Sequence, residues 1–234
     1  ETYLSLSPYS MFANNPLLFV DPDGRDIRFY IWEQDKNQDW KRKAVKFNQL
    51  DPKLQKALEA FAKTKAGNAF LKDFAQKGDK IGSVEFSSTG KFAKHDLEIA
   101  QSNSNKVNPG GSTFREGEDN IIFDLKTNIK REPDADNPES MAITIGHEAF
   151  IHMMQYRDKV IKAYDENDKA SLAAFVKQHD NEAAKGGYTD HKRYIKGDHK
   201  YTLMRTYVSQ LRTVLNPAQV DKQIKAHDAK YKSK

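Results

Sequence analysis

Residues 143–156 read ITIGHEAFIHMMQY, an apolar stretch that carries His147, Glu148 and His152 within six positions. The Asn-Pro-Glu at residues 137–139 is typical of a helix start, because asparagine caps a helix, proline fits its first turn and an acid suits the positive end of the helix dipole. A helix this apolar is expected to lie in the core. Its two histidines are then either hydrogen-bonded there or bound to a metal ion.

The spacing of the two histidines decides whether they can share an ion. His147 and His152 are five positions apart, which on a regular helix separates them by about 140°, against about 40° for positions four apart. A single π-type bulge would bring them together, and such bulges occur preferentially at functional sites. If they share an ion, the sequence predicts a wide turn at residues 149–151, converging imidazoles and Phe150 directed into the core.

The absence of cysteine limits the chemistry of any metal site. With no Cys in the chain, disulfides, cysteine nucleophiles and thiolate zinc sites are excluded, and a metal must be held by His, Asp or Glu. A catalytic zinc site uses three protein ligands and leaves one position for water. A glutamate next to the first ligand suits a general base that deprotonates this water. We therefore expect Zn²⁺ as cofactor, with His147 and His152 as ligands and Glu148 as the catalytic residue.

The six residues HEAFIH at 147–152 resemble the H-E-x-x-x-H motif of dipeptidyl peptidase III-like zinc peptidases. The resemblance is confined to this motif and implies hydrolysis of peptide bonds. Those enzymes use a downstream glutamate as third ligand, in a motif that this sequence lacks. Zinc peptidases of the gluzincin kind also place a strand before the motif helix, and substrate pairs with its edge. The segment NIIFDL at 120–125 is expected to be that strand.

The third metal ligand is predicted to be His199. Asp198 can cap a helix that begins there, which would place His199 in a rigid first turn. The segment GDHKYTLMRTY also resembles D-H-x-x-M-x-x-x-Y segments that follow the H-E motif in bacterial metallopeptidase toxins. Glu182 and His191 are the alternative ligands. His95, in a strand, and His227, in a solvated tail, are not expected to contribute.

A peptidase also needs a donor that stabilises the oxyanion. The sequence leaves four candidates open for this role: Tyr194, Tyr201, Tyr207 and His191.

The first 24 residues differ from the rest of the chain. They contain no Lys or Arg, although the chain has 38, and consist of two short apolar pieces separated by turns. Their S-P-Y, N-N-P and D-P-D-G elements resemble the end of the RHS-repeat core of bacterial polymorphic toxins, in which a β-shell encloses a C-terminal toxin domain. This resemblance implies a junction at residues 1–24 and a toxin domain at 25–234.

The same resemblance implies the cellular setting. The expected partners are a protein or peptide substrate, a cognate immunity protein, the RHS shell and a type VI-like injection apparatus that delivers the toxin into a target cell. The sequence starts with neither the basic nor the apolar region of a signal peptide. No apolar run approaches the roughly 18 residues that span a bilayer, so no membrane partner is expected.

The positive net charge of the chain is compatible with a second function, nucleic-acid cleavage. The net charge is +5, and residues 218–234 contribute five Lys and two Asp, a net of +3. A basic tail can bind nucleic acid, but a solvated helix end is the favoured interpretation, and nucleic acid is not an expected partner. The alternatives to a peptidase are a metal-dependent nuclease toxin and a non-catalytic binding module with a structural metal.

The hydrophobic patterning predicts an α+β fold. The expected domain is mainly helical and zincin-like, with a small mixed sheet whose edge strand precedes the motif helix. Strands are predicted at 26–32, 81–88, 95–102 and 120–127, and a long loop at 103–120. Helices are predicted from residue 39 to 78, from 137 to 164, at roughly 165–184 and around 201–215.

Overall fold

The computed structural model describes residues 27–34, 36, 39–103, 110–130, 133–184 and 198–232. Residues 1–24, and with them the predicted junction, lie outside this range. The described part forms an α+β fold, which confirms the predicted class. Within it, no helix combines the length and apolar character needed to cross a membrane.

A mixed five-stranded sheet forms one layer of the fold. In chain order the strands are β1 (Ile27–Gln34), β2 (Trp40–Val45), β3 (Lys80–Ile81), β4 (Val84–Glu85), β5 (Asp96–Ser102), β6 (Gly110–Glu116) and β7 (Ile121–Asn128). The sheet has the order β2-β1-β5-β7-β6, and β3 and β4 pair separately as a small hairpin. The three central strands run parallel, whereas β2 and β6 pair antiparallel at the two edges.

The helices form the second layer. They are α1 (Pro52–Lys63), α2 (Lys65–Lys72), α3 (Pro138–His147), a π-helical segment (Glu148–Met153), α4 (Met154–Asp165), α5 (Lys169–Ala184), α6 (His199–Leu211) and α7 (Pro217–Lys232). The predicted capping residues act as expected. The Asn137 side chain accepts from the Ser140 amide at 2.8 Å, and the Asp198 side chain accepts from the Lys200 amide at 2.8 Å.

Alternation along β7 shows which face of the sheet is buried. Ile121, Phe123 and Leu125 are buried and alternate with the more accessible Ile122, Asp124 and Lys126. The Phe123 ring lies 5.5 Å from that of Phe74, just after α2. The opposite face is polar: Arg115 and Arg42 donate to the Glu98 carboxylate, at 2.6 and 3.2 Å. Among the described residues, helices pack against the face that carries Ile121, Phe123 and Leu125.

Four predicted elements are wrong. The single strand predicted at 81–88 is replaced by the short hairpin of β3 and β4. Residues 40–45, predicted helical, form strand β2, because pairing with β1 outweighs the helical tendency of an exposed, charged segment. The predicted loop at 103–120 contains strand β6. The segment NIIFDL is not the edge strand, since β7 pairs with β5 on one side and β6 on the other. The edge next to the motif helix is β6.

Candidate metal centre

The motif helix changes its hydrogen-bonding pattern where the sequence predicts a bulge. Residues Glu148–Met153 form a π-helical segment between α3 and α4. The wider turn rotates His152 back toward His147, and their Nε2 atoms lie 3.0 Å apart. The predicted bulge and the predicted convergence of the two imidazoles are both confirmed.

The distance between the two imidazoles suits a shared zinc ion. Zinc–nitrogen bonds of 2.0–2.1 Å at a tetrahedral angle place two ligand nitrogens about 3.3 Å apart, slightly more than the 3.0 Å between these Nε2 atoms. One ligand atom from each of His147, Glu148 and His152 lies within 4.8 Å of the others. His147 is 2% and Glu148 8% exposed. The cluster thus offers two nitrogens and a carboxylate to a cation.

Phe150 anchors the widened turn. It is 2% exposed, and its ring stacks on Phe61 at 5.6 Å and meets Tyr207 edge to face at 5.3 Å. Its neighbours Ala149 and Ile151 are also fully buried. The predicted inward direction of Phe150 is confirmed, and its burial gives the π-helical segment a fixed place in the core.

Lys200 of α6 also holds this segment. Its Nζ donates to the Ile151 carbonyl at 2.8 Å and to Oε1 of Gln155. Because a π-type turn changes which amides reach its carbonyls, a side-chain donor on Ile151 favours the widened form. α6 therefore supports the π-helical segment through a lysine.

Replacing Lys200 by methionine should loosen the turn. Methionine keeps the length of the side chain but removes the charged donor, so we expect the free energy of unfolding of metal-free protein to fall by about 1–3 kcal/mol. Denaturant titration measures this loss. His199→Ala, at the exposed neighbouring position, is the matched control and should leave stability within about 0.5 kcal/mol. Equal stability of Lys200→Met and wild type would contradict the role of this lysine.

His199 does not lie in the histidine–glutamate cluster. The structure confirms that α6 begins at His199 with Asp198 as its cap, but His199 is exposed and the cluster contains only His147, Glu148 and His152 among the described residues. Successive helical residues point about 100° apart, so the turn that directs Lys200 to the motif helix directs His199 away from it. The alternative ligands Glu182 and His191 lie outside the residues whose side chains the structure describes.

Two residues of α7 contact the His147 ring. His227 Nε2 lies 2.8 Å from His147 Nδ1, and the Tyr231 ring stacks on the His147 ring at 4.6 Å. The expectation that His227 lies in a solvated tail is wrong, since its side chain is only 10% exposed. Spacing could have revealed this face, because Val220, Ile224, His227 and Tyr231 follow a helical repeat and the first two are buried.

Charges around His227 come from α6 and α7. Burial lowers the pKa of His227, although the adjacent Asp228 opposes this. Burial would raise the pKa of Asp228, but hydrogen bonds with His227 and Arg205 outweigh it and hold that pKa at about 2. Burial, aided by the charge of Glu148, raises the pKa of Tyr231 to about 12. Asp228 is thus ionised and Tyr231 protonated at neutral pH.

The two predicted oxyanion donors whose side chains the structure describes, Tyr201 and Tyr207, make other contacts. Tyr207 is fully buried and donates its hydroxyl hydrogen to the Ala142 carbonyl at 2.8 Å, so it is a core residue. The Tyr201 ring lies 4.7 Å below the Arg205 guanidinium. Tyr194 lies outside the described residues. His191, the fourth candidate, also lies outside them. Among the described residues, Tyr231 is a tyrosine that lies beside the cluster.

The edge strand begins next to Glu148. A Cβ at Gly110, the first residue of β6, would lie 3.3 Å from Glu148 Cγ and 2.6 Å from Thr144 Cγ2, so the backbone approaches the motif helix as closely as glycine allows. Further along the strand, His179 Nε2 lies 3.3 Å from the Ser112 carbonyl oxygen. β6 is therefore the edge strand beside the motif, the position that the sequence prediction gave to the segment NIIFDL, now part of β7.

Comparisons with known proteins find no match to this chain. No protein-family model matches the chain, and no curated protein or solved structure matches it either.

Proposed function

We propose that this chain is a zinc-dependent peptidase in which His147 and His152 hold the metal and Glu148 is the general base. The observation that supports it most strongly is the π-helical segment, which brings the two Nε2 atoms within 3.0 Å of each other. A turn of this kind disrupts regular hydrogen bonding in a buried helix. A metal ion bound by both imidazoles would explain why the helix is disrupted at this point.

The side chains of the centre divide the chemistry between them. Bound zinc would polarise the scissile carbonyl and lower the pKa of a coordinated water. The Glu148 carboxylate accepts the proton of the attacking water and transfers it to the leaving amine. Tyr231, which keeps its proton at neutral pH because its pKa is about 12, is the candidate donor to the oxyanion. An extended peptide pairing with the edge strand β6 would run past Glu148.

The proposed biological setting is a toxin injected into a competing or host cell. Its support is the similarity of the segment before residue 25 to the end of an RHS core. In that setting the substrate is a protein or peptide of the target cell, and a cognate immunity protein protects the producer.

Metal analysis with hydrolysis assays tests the proposed activity. We expect one zinc per chain in protein purified without chelator, and cleavage of an unfolded protein substrate that stops on chelation and returns with added zinc. Absence of metal, with added zinc bound no tighter than about 0.1 mM, would refute the metal site. Zinc-dependent cleavage of DNA or RNA instead of protein would favour the nuclease, and zinc without hydrolysis the structural site.

A further inference from the structure

A chain of polar contacts runs from the metal centre to the face of α7. His152 Nε2 lies 3.0 Å from His147 Nε2, and His147 Nδ1 lies 2.8 Å from His227 Nε2. His227 Nδ1 lies 3.5 Å from Oδ1 of Asp228. Arg205 of α6 donates to the other carboxylate oxygen of Asp228, which fixes the end of the chain.

The carboxylate end sets the direction of this chain. The ionised Asp228 carboxylate carries only acceptors, so its negative charge, 3.5 Å from His227 Nδ1, favours the tautomer of His227 that carries the hydrogen on this nitrogen. In a neutral imidazole the other nitrogen is then an acceptor, which makes His227 Nε2 the acceptor for His147. His147 must therefore donate from Nδ1. In this tautomer His147 Nε2 carries a lone pair, and this nitrogen faces His152 Nε2 at 3.0 Å.

We propose that His227 is a positioning residue, which holds His147 in the Nδ1–H tautomer so that Nε2 is presented to the metal. The inference rests on the proposed zinc site. Metal-binding histidines usually donate their second N–H to a carboxylate, a carbonyl or water. Here an imidazole stands between the ligand and the carboxylate, and Asp228 acts on His147 through His227.

The stacking of Tyr231 restrains the same ring from a second direction. Its ring lies nearly parallel to His147, with 21° between the planes, and 4.8 Å from the ring of His227. A face contact and an edge hydrogen bond together fix both the tilt and the rotation of an imidazole. The two residues lie four positions apart on α7, so one helix face supplies both restraints.

Zinc titration of matched variants tests the role of His227. Leucine removes the acceptor at similar bulk, and we expect His227→Leu to weaken zinc binding about 10- to 100-fold. Glutamine can present its amide oxygen near the position of Nε2, so His227→Gln should stay within about threefold of wild type. Lys225→Leu, on the exposed side of the same helix, controls for added apolar surface and should bind as wild type does.

Nitrogen NMR of metal-free wild type gives an independent reading. The His147 ring should show a protonated Nδ1 and a bare Nε2, and this decides the inference even if His227→Leu fails to fold. A His147 ring protonated at Nε2, or zinc affinity of His227→Leu equal to wild type, would overturn it. Wild type that binds no zinc would refute the proposed function instead, while the tautomer of His147 would still be measured.

Discussion

Glu148→Gln is expected to lower kcat/KM for peptide hydrolysis by about 10²- to 10⁴-fold, the contribution of a well-placed general base. Glutamine has almost the same shape as glutamate but cannot accept the proton of the attacking water. Because His147 and His152 remain in place, the zinc content should not change. The effect should therefore appear in turnover and not in metal binding.

Two further variants make this result specific. Glu166→Gln, an exposed residue at the end of the same helical run, should keep full activity. His152→Gln should lose zinc and activity together. If Glu148→Gln retained wild-type turnover, Glu148 would not be the base. If it lost zinc as well, the carboxylate would be a ligand, which its place in the cluster also permits.

Phe150→Ala is expected to destabilise the protein by about 3–5 kcal/mol, the usual cost of removing a buried phenylalanine. Its ring touches aromatic side chains from α1, α2 and α6, namely Phe61, Phe70 and Tyr207. The vacated space lies directly under the π-helical segment. Zinc affinity should therefore fall together with the free energy of unfolding.

Denaturant unfolding of the metal-free protein separates the two effects. Phe150→Leu fills part of the space and should lose less than half as much stability as Phe150→Ala. Val176→Ala, an exposed position on α5, should change stability by less than about 0.5 kcal/mol. A Phe150→Ala protein that unfolds like wild type would show that the aromatic cluster does not support the turn.

Local rules explain which parts of the centre could be predicted from the sequence. The start of α3 follows from the capping chemistry of Asn137 and Pro138. The bulge follows from the five-residue spacing of His147 and His152, if they share an ion. Both depend on residues close together in the chain.

The missed features depend on contacts between distant residues. Residues 40–45 form β2 because they pair with β1, and residues 110–116 form β6 because they pair with β7. The helical repeat of α7 places His227 on its buried face, but no local pattern specifies that it meets a histidine 80 positions earlier. The start of α6 agrees with the prediction, but the rotation of α6 about its axis does not follow from the sequence. That rotation directs Lys200, and not His199, toward the motif helix.

The distance along the chain between His147 and α7 also bears on when the centre forms. The ligand pair belongs to one helix and can come together as soon as that helix folds. The side chains that orient the first ligand are translated 80 residues later than the ligand itself. A nascent chain still on the ribosome therefore holds the two histidines and the base without the residues that align them. Translation of α7 therefore sets the earliest point at which His147 can be aligned by His227.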